Sequence, residues 1–259
     1  MRIAPEPQHR LACRPMRHLL SVVTVGVVSA FGAACSGSDA GPDAVDLPDG
    51  GAITPDAATP DGPIAVTAAA LRAKLPSCAT PIGGPLAKDS GGTANIPICG
   101  GTRIVFWTAD MDIDCDGKES PQCNLAADPS WQNQTSANDS MGNPLDAATL
   151  PFVVIPGVST KFNYRNAGLA MGSVVAVLYQ DKMEYGVIGD SGPTTIVGEA
   201  SYQMAVRLGI NPNPRNGGID SGVTYIAFTG ADGKVAKLED QPATVALGTL
   251  RAQMFLQGL

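Results

Sequence analysis

Short runs of apolar, β-branched and aromatic residues, each closed by Gly, Pro, Asp or Asn, recur along the chain from about residue 100 onward. Residues 102–108 (TRIVFWT), 151–155 (PFVVI), 173–179 (SVVAVLY), 184–188 (EYGVI) and 223–229 (VTYIAFT) have the length and composition of strands. Gly230-Ala231-Asp232-Gly233 reads as a hairpin turn into a further strand at residues 234–238. Helical spacing occurs in two places. Residues 66–75 place Leu71 and Leu75 four apart before Pro76, and residues 199–208 place Tyr202, Ala205 and Leu208 on one face before Gly209. Irregular Gly/Pro/Asn loops fill much of the rest, and no internal repeat is present. The fold class predicted is mainly β, a small closed or nearly closed barrel with few helices and long loops, because closure removes exposed strand edges.

The first 64 residues follow a different pattern. Arg2, Arg10, Arg14 and Arg17 precede an apolar run at residues 19–31 that is too short to span a bilayer, the form of an export signal. The run ends in Gly32-Ala33-Ala34-Cys35 and a polar stretch, which resembles a bacterial lipoprotein cleavage site with Cys35 as the acylated residue, although Gly32 stands where Leu is usual. Met16 would also serve as the start of such a signal. Residues 36–64 carry Asp39, Asp43, Asp46, Asp49, Asp56 and Asp61 among prolines, with no Lys or Arg, and are expected to be an extended tether. The remaining residues, 65–259, are one domain's worth of chain.

Charge and residue inventory then narrow the chemistry. The chain is acidic, with 24 Asp and Glu against 17 Lys and Arg, which excludes a basic nucleic-acid-binding surface and suits a cationic ligand. Its two histidines, His9 and His18, both fall in the signal. Ser-His-Asp catalysis, Cys-His catalysis and His-ligated zinc are therefore excluded from the exported domain. Cys78, Cys99, Cys115 and Cys123 are an even set in an exported chain, so two disulfides are expected. Three pairings are possible, and the spacing favours Cys115 with Cys123 and Cys78 with Cys99.

Two constellations carry candidate chemistry. The first, Asp110, Asp112, Asp114 and Asp116, alternates along the end of a strand and would project to one side if the strand continued. From Asp112 the spacing matches the start of an EF-hand loop, but Cys123 occupies the position of the final Glu and no helices flank it. A bound Ca²⁺, a polycationic substrate and a solvated loop pinned by Cys115 stay open as readings, and substrate is the assignment taken, with no metal or cofactor expected. In the second, an apolar strand delivers Asp190 into the turn Gly189-Asp190-Ser191-Gly192-Pro193, and Gly198-Glu199-Ala200-Ser201 brings Glu199 to the first turn of a helix. Two carboxyls on rigid supports are what glycoside hydrolysis needs, but a turn cap and a helix N-terminal charge would explain the same residues. Trp107, Trp131 and Tyr202 are candidates for stacking on sugar rings, or are core aromatics.

Several segments taken together bring a family resemblance: ADMDIDCDG (residues 109–117), PFVVIP (151–156), VVAVLYQDKMEYGVIGDSGP (174–193), VGEASYQMAVRLGI (197–210) and GVTYIAF (222–228). They resemble the chitosanases of glycoside hydrolase family 75, known mainly from fungi. The resemblance implies endo-hydrolysis of β-1,4-linked glucosamine in chitosan with inversion, Asp190 and Glu199 as the catalytic carboxyls, and a double-psi type of barrel. Glu199 is assigned as acid and Asp190 as base, although a helix N-terminus would oppose a protonated Glu199. The expected partners are chitosan or a related polycationic aminosugar polymer, and the membrane through a lipid anchor only; a monomer is expected and no nucleic acid. Hydrolysis of chitin or peptidoglycan, or carbohydrate binding without catalysis, are the alternatives.

Overall fold

The computed structural model describes residues 65–259. The export signal, Cys35 and the acidic tether up to residue 64 lie outside the described residues. Helix α1 (Ala68–Lys74) is capped by Thr67, whose hydroxyl accepts from the Ala70 amide. Eight strands follow: β1 (Gly83–Leu86), β2 (Ile96–Gly101), β3 (Ile104–Asp114), β4 (Phe152–Pro156), β5 (Val174–Tyr179), β6 (Lys182–Gly192), β7 (Glu199–Ser201) and β8 (Ile219–Phe228). Helix α2 (Tyr202–Leu208) sits between β7 and β8, and α3 (Gln241–Gln257) closes the chain.

Strands β3-β7-β4-β6-β5-β8 are hydrogen-bonded in that order, and β8 pairs back onto β3, so six strands close a barrel with β1 and β2 added outside the ring. The β3–β7 and β4–β6 pairs are parallel and the other four contacts antiparallel. Alternation along each strand sends one set of residues inward and the other outward. Val105, Trp107, Ala109 and Met111 of β3 join Val153, Val175, Val177, Ile188, Tyr225 and Ala227 in one cluster. Ile104 and Phe106 join Phe152, Val154, Val174, Leu178 and Ile226 in a second, which also receives Leu71 of α1 and Ala252 and Phe255 of α3. The first cluster draws on all six strands of the ring and holds the large side chains of Trp107 and Tyr225, so it fills the barrel, with Met204, Ala205 and Leu208 of α2 joined to it; the second, covered by α1 and α3, is the outer face. The disulfides Cys78–Cys99 and Cys115–Cys123 form with Cα separations of 5.4 and 5.0 Å.

The mainly β, closed-barrel expectation holds, with corrections at element level. Strand β6 runs on through residue 192, so Asp190 is a strand residue and not part of a turn. Glu199 opens β7, and the helix starts three residues later with Ser201 as its cap. The strand expected at 234–238 reduces to a 3-10 turn at Ala231–Gly233 and a single bridge from Lys234 to Ser173. The longest helix, α3, has no apolar stripe. Its buried positions are Thr244, Gly248, Arg251, Ala252 and Phe255, helically spaced but mostly small or polar.

Candidate active site

Strand register builds the site. Val154 of β4 is the partner of Asp190 on β6 on one side and of Glu199 on β7 on the other, and Glu199 in turn pairs with Asp112 of β3. Paired residues project to the same face, so Asp190, Val154, Glu199 and Asp112 form a row across four strands on the outside of the barrel. Asp190 reaches that face through a bulge. Val153 pairs with Ile188 but Val154 with Asp190, so Gly189 is an extra residue in β6. Were Gly189 paired in regular alternation, Asp190 would share the inward direction of Ile188.

The row floors a cleft of about 510 Å³ whose walls include Asp114, Asp116, Asp128, Ser130, Gln132, Gly192, Asn213 and Arg215. Six carboxyl groups line it, and Arg215 is the single Lys or Arg. That guanidinium is occupied in holding the wall, donating from Nε to the Ala127 carbonyl at 2.9 Å and from an Nη to that of Ala126 at 2.8 Å. The arrangement suits a polycation.

The two central acids have unlike surroundings. Asp190 is 8% exposed. Its Oδ1 accepts from the Ser136 amide (2.8 Å), the Ser136 hydroxyl (2.6 Å) and the Ser191 amide (2.7 Å). Since Ser136 Oγ gives its proton to Asp190, the 2.7 Å contact between the two serine hydroxyls has Ser191 as donor. These bonds fix the carboxyl plane and leave Oδ2 without a protein donor among the described residues. Glu199 has none of this support among the described residues. Burial pushes its pKa up to about 7, and Asp112, Asp116 and Asp190 add to the shift. Its Oε2 lies over Gly192, where an added Cβ would come within 2.9 Å. Position 198 is fixed as glycine by its φ of +125° and by Asp110 Oδ1, which lies 2.0 Å from where a Cβ would stand.

The remaining sequence candidates separate. Asp112, Asp114 and Asp116 line the cleft. Asp114 is half-buried with its Oδ2 enclosed, and this desolvation drives its pKa well up; its Oδ1 accepts from the Asp116 amide at 2.7 Å. Burial raises Asp116 to about 6 against the Gln132 amide, which donates to it. Asp110 is not a cleft residue. It is 3% exposed beneath Gly198, with burial and then Asp112 raising its pKa to about 7. Trp107 is also corrected: it lies inside the barrel, 1% exposed and stacked on Tyr225 with centroids 5.2 Å apart, and no sugar reaches it. Trp131 packs partly buried against the outer cluster. Tyr202 lines an adjoining hollow that shares Asn213, Pro214 and Arg215 with the cleft. Ser136, Asp128, Gln132 and Arg215 escaped the sequence reading. They lie on loops without periodicity, and only three-dimensional proximity marks them.

The family model described as the fungal chitosanase of glycosyl hydrolase group 75 matches residues 111–250, which include the whole row of acids. Endo-chitosanase B of Aspergillus oryzae is 37% identical over 131 residues, covering 48% of this chain and 55% of that protein. An endo-chitosanase of the same species is 36% identical over 149 residues, covering 52% and 60%. Endo-chitosanase C is 37% identical over 175 residues, covering 64% and 42%. The chain thus spans about half the length of these relatives. The Streptomyces papain inhibitor aligns with a TM-score of 0.29 and 18% identity over 51% of this chain and 98% of its own, too remote to bear on the site.

Proposed function

Because the chain belongs to the fungal chitosanase family of glycosyl hydrolase group 75, we propose that it is an endo-acting glycoside hydrolase that cleaves the β-1,4-glucosamine linkages of chitosan with inversion. The single observation that carries the catalytic assignment is the strand row in which Glu199 and Asp190 flank Val154. Neighbouring strands are about 4.8 Å apart, so the two Cα atoms are separated by about 10 Å. An inverting pair needs its carboxyl groups about 6.5–9.5 Å apart to admit a water, whereas a retaining pair needs only about 5 Å.

Glu199 is the general acid. A carboxyl held protonated near neutral pH has a proton to give the leaving glycosidic oxygen. The helix-dipole objection to this role disappears, because Glu199 stands in β7 ahead of the helix. Asp190 is the general base. Its Oδ1 is engaged by Ser136 and Ser191, and the free Oδ2 takes the proton of the attacking water on the opposite face of the sugar. Asp112, Asp114, Asp116 and Asp128 supply negative charge along the cleft for the ammonium groups of neighbouring glucosamine units. We place the enzyme outside the cell as a monomer, attached through acyl chains on Cys35 and the tether of residues 36–64; the intact mass of the exported protein reads the acylation.

The test is a reducing-end assay on chitosan, chitin and peptidoglycan with Asp190→Asn and Glu199→Gln. Each variant should lose about 10²- to 10⁴-fold in turnover on chitosan while still binding it. A parent protein inactive on all three polymers but able to bind them would establish a carbohydrate-binding protein instead. Folded variants with parental turnover would refute the acid assignments.

A further inference from the structure

Beside the cleft, the fold gathers three carboxylates from two segments that are distant in sequence. Asp89 lies in the connection from β1 to β2, and Asp110 and Asp112 lie on β3. One oxygen from each lies within 4.8 Å of the other two. Two exposed carboxylates near a third are common on surfaces, but Asp110 is different. It is 3% exposed, and its Oδ1 has no hydrogen-bond partner among the described residues. An unpartnered buried carboxylate oxygen costs several times what an exposed one does. Lys88 does not settle the account: its ammonium pairs with Asp89 at 3.6 Å and Asp220 at 3.7 Å. Among the described residues no Lys or Arg nitrogen makes an ion pair with Asp110 or Asp112.

We propose that Asp89, Asp110 and Asp112 bind a hard divalent cation, Ca²⁺. Oxygen atoms 4.8 Å apart or closer can be bridged by one ion with bonds of about 2.4 Å, the length of Ca²⁺–carboxylate contacts. The donor set is all oxygen, which disfavours soft metals, and its two exposed members leave room for the waters that complete a shell of six to eight. This set shares Asp112 with the EF-hand-like run but not the EF-hand geometry, because its third member comes from a different connection. The ion ties that connection to β3 at the strand position next to Glu199. The Ala87–Ile196 bridge already links the same connection to the segment leading into β7.

The test uses the full chain, freed of metal by chelation, titrated calorimetrically with CaCl₂ and followed by thermal unfolding. A single saturable site is expected, with a Kd on the order of 10⁻⁴ to 10⁻³ M, the range of exported Ca²⁺ modules. The unfolding midpoint should rise with Ca²⁺ and not with NaCl of equal ionic strength. Asp110→Asn should abolish binding, and the exposed Asp89→Asn, which does not disturb the core, should weaken it about tenfold or more by removing one of three charged ligands. Absence of a saturable Ca²⁺ site in the parent overturns the proposal, as does unchanged Ca²⁺ affinity in folded Asp89→Asn. So does a site that ignores Ca²⁺ but takes glucosamine hydrochloride, which would make it an ammonium subsite. None of these readouts depends on chitosan hydrolysis, so the site and the catalytic assignment stand or fall separately.

Discussion

Gly192→Ala isolates the placement of the acid from its chemistry. Gly192 does not have a left-handed backbone, so alanine brings no φ penalty. The new methyl would lie 2.9 Å from Glu199 Oε2 and 3.2 Å from Val154 Cγ1. Ordinary contact begins near 3.4 Å, so the carboxyl must withdraw by about 0.5 Å. Glu199 is the flexible end of a side chain, and its withdrawal costs the fold little; the unfolding midpoint should stay within about 2 °C of the parent. Catalysis is less tolerant. A misplacement of about 1 Å costs on the order of 10²-fold, so half of that should lower kcat about tenfold with little change in KM. The methyl also removes solvent from around Glu199, so the basic limb of the pH–rate profile should move to higher pH. Reducing-end release from chitosan at saturating concentration, measured across pH, reads both effects. Parental kcat with an unmoved profile in the folded variant would mean that the position of Glu199 does not matter, and the acid assignment would fall.

The other predictions concern protons. With Glu199 acting in its protonated form and its pKa near 7, kcat should fall as pH rises through about 7, and a profile flat from pH 5 to 9 would contradict the role. Stability should follow the same protons. The pKa values of Glu199 and Asp116 rise on folding from 4.5 to about 7 and from 3.8 to about 6, so the folded state holds more protons across that window. Their stabilising contribution is present in full below pH 4 and is lost as pH climbs through 6 to 7, so the unfolding midpoint should be lower at pH 8 than at pH 5. Glu199→Gln should reduce that difference and leave the part due to Asp116, and an equal midpoint at both pH values in the parent would reject it.

The strands that hold the site were legible where burial on both faces left long apolar runs. Val174–Tyr179 and the apolar half of Ile219–Phe228 have that form, as does Phe152–Pro156. Where a strand turned polar, the sequence pattern stopped too early: β3 continues through Asp112 and Asp114, and β6 through Asp190, because parallel or antiparallel partners satisfy the backbone whatever the side chains are. Helix α3 was illegible for the converse reason. Its buried face is Thr244, Gly248, Arg251 and Ala252, and at Gly248 the fit leaves no room for a Cβ against Tyr185, which lies 2.4 Å from where one would stand. Close approach of that kind selects small residues, which carry no hydrophobic signal. In the site, Asp190 and Glu199 were legible through the family motifs, while Ser136 and Arg215 act from irregular loops and left no trace in spacing.

The division of labour proposed for the two acids has its basis in the barrel. Both stand on the same outer face, flanking the same valine, and both are largely shielded from water. What separates them is which neighbours bring donors. The loop containing Ser136 crosses β6 close enough for its Ala137 amide to bond the Gly189 carbonyl at 3.1 Å, at the bulge residue itself. The irregularity that turns Asp190 outward therefore also docks the loop that holds its oxygen. β7 has no such visitor: Glu199 meets Asp112 in register on one side and the apolar Val154 on the other. A carboxyl among carboxylates and hydrocarbon keeps its proton, and one gripped by amides and hydroxyls is held in place as an acceptor. Deleting Gly189 would leave Asp190 directly after the inward Ile188 and still facing outward opposite Val154, but it would remove the carbonyl that docks the Ser136 loop, so the loss would fall on the donors to Asp190 and not on its direction.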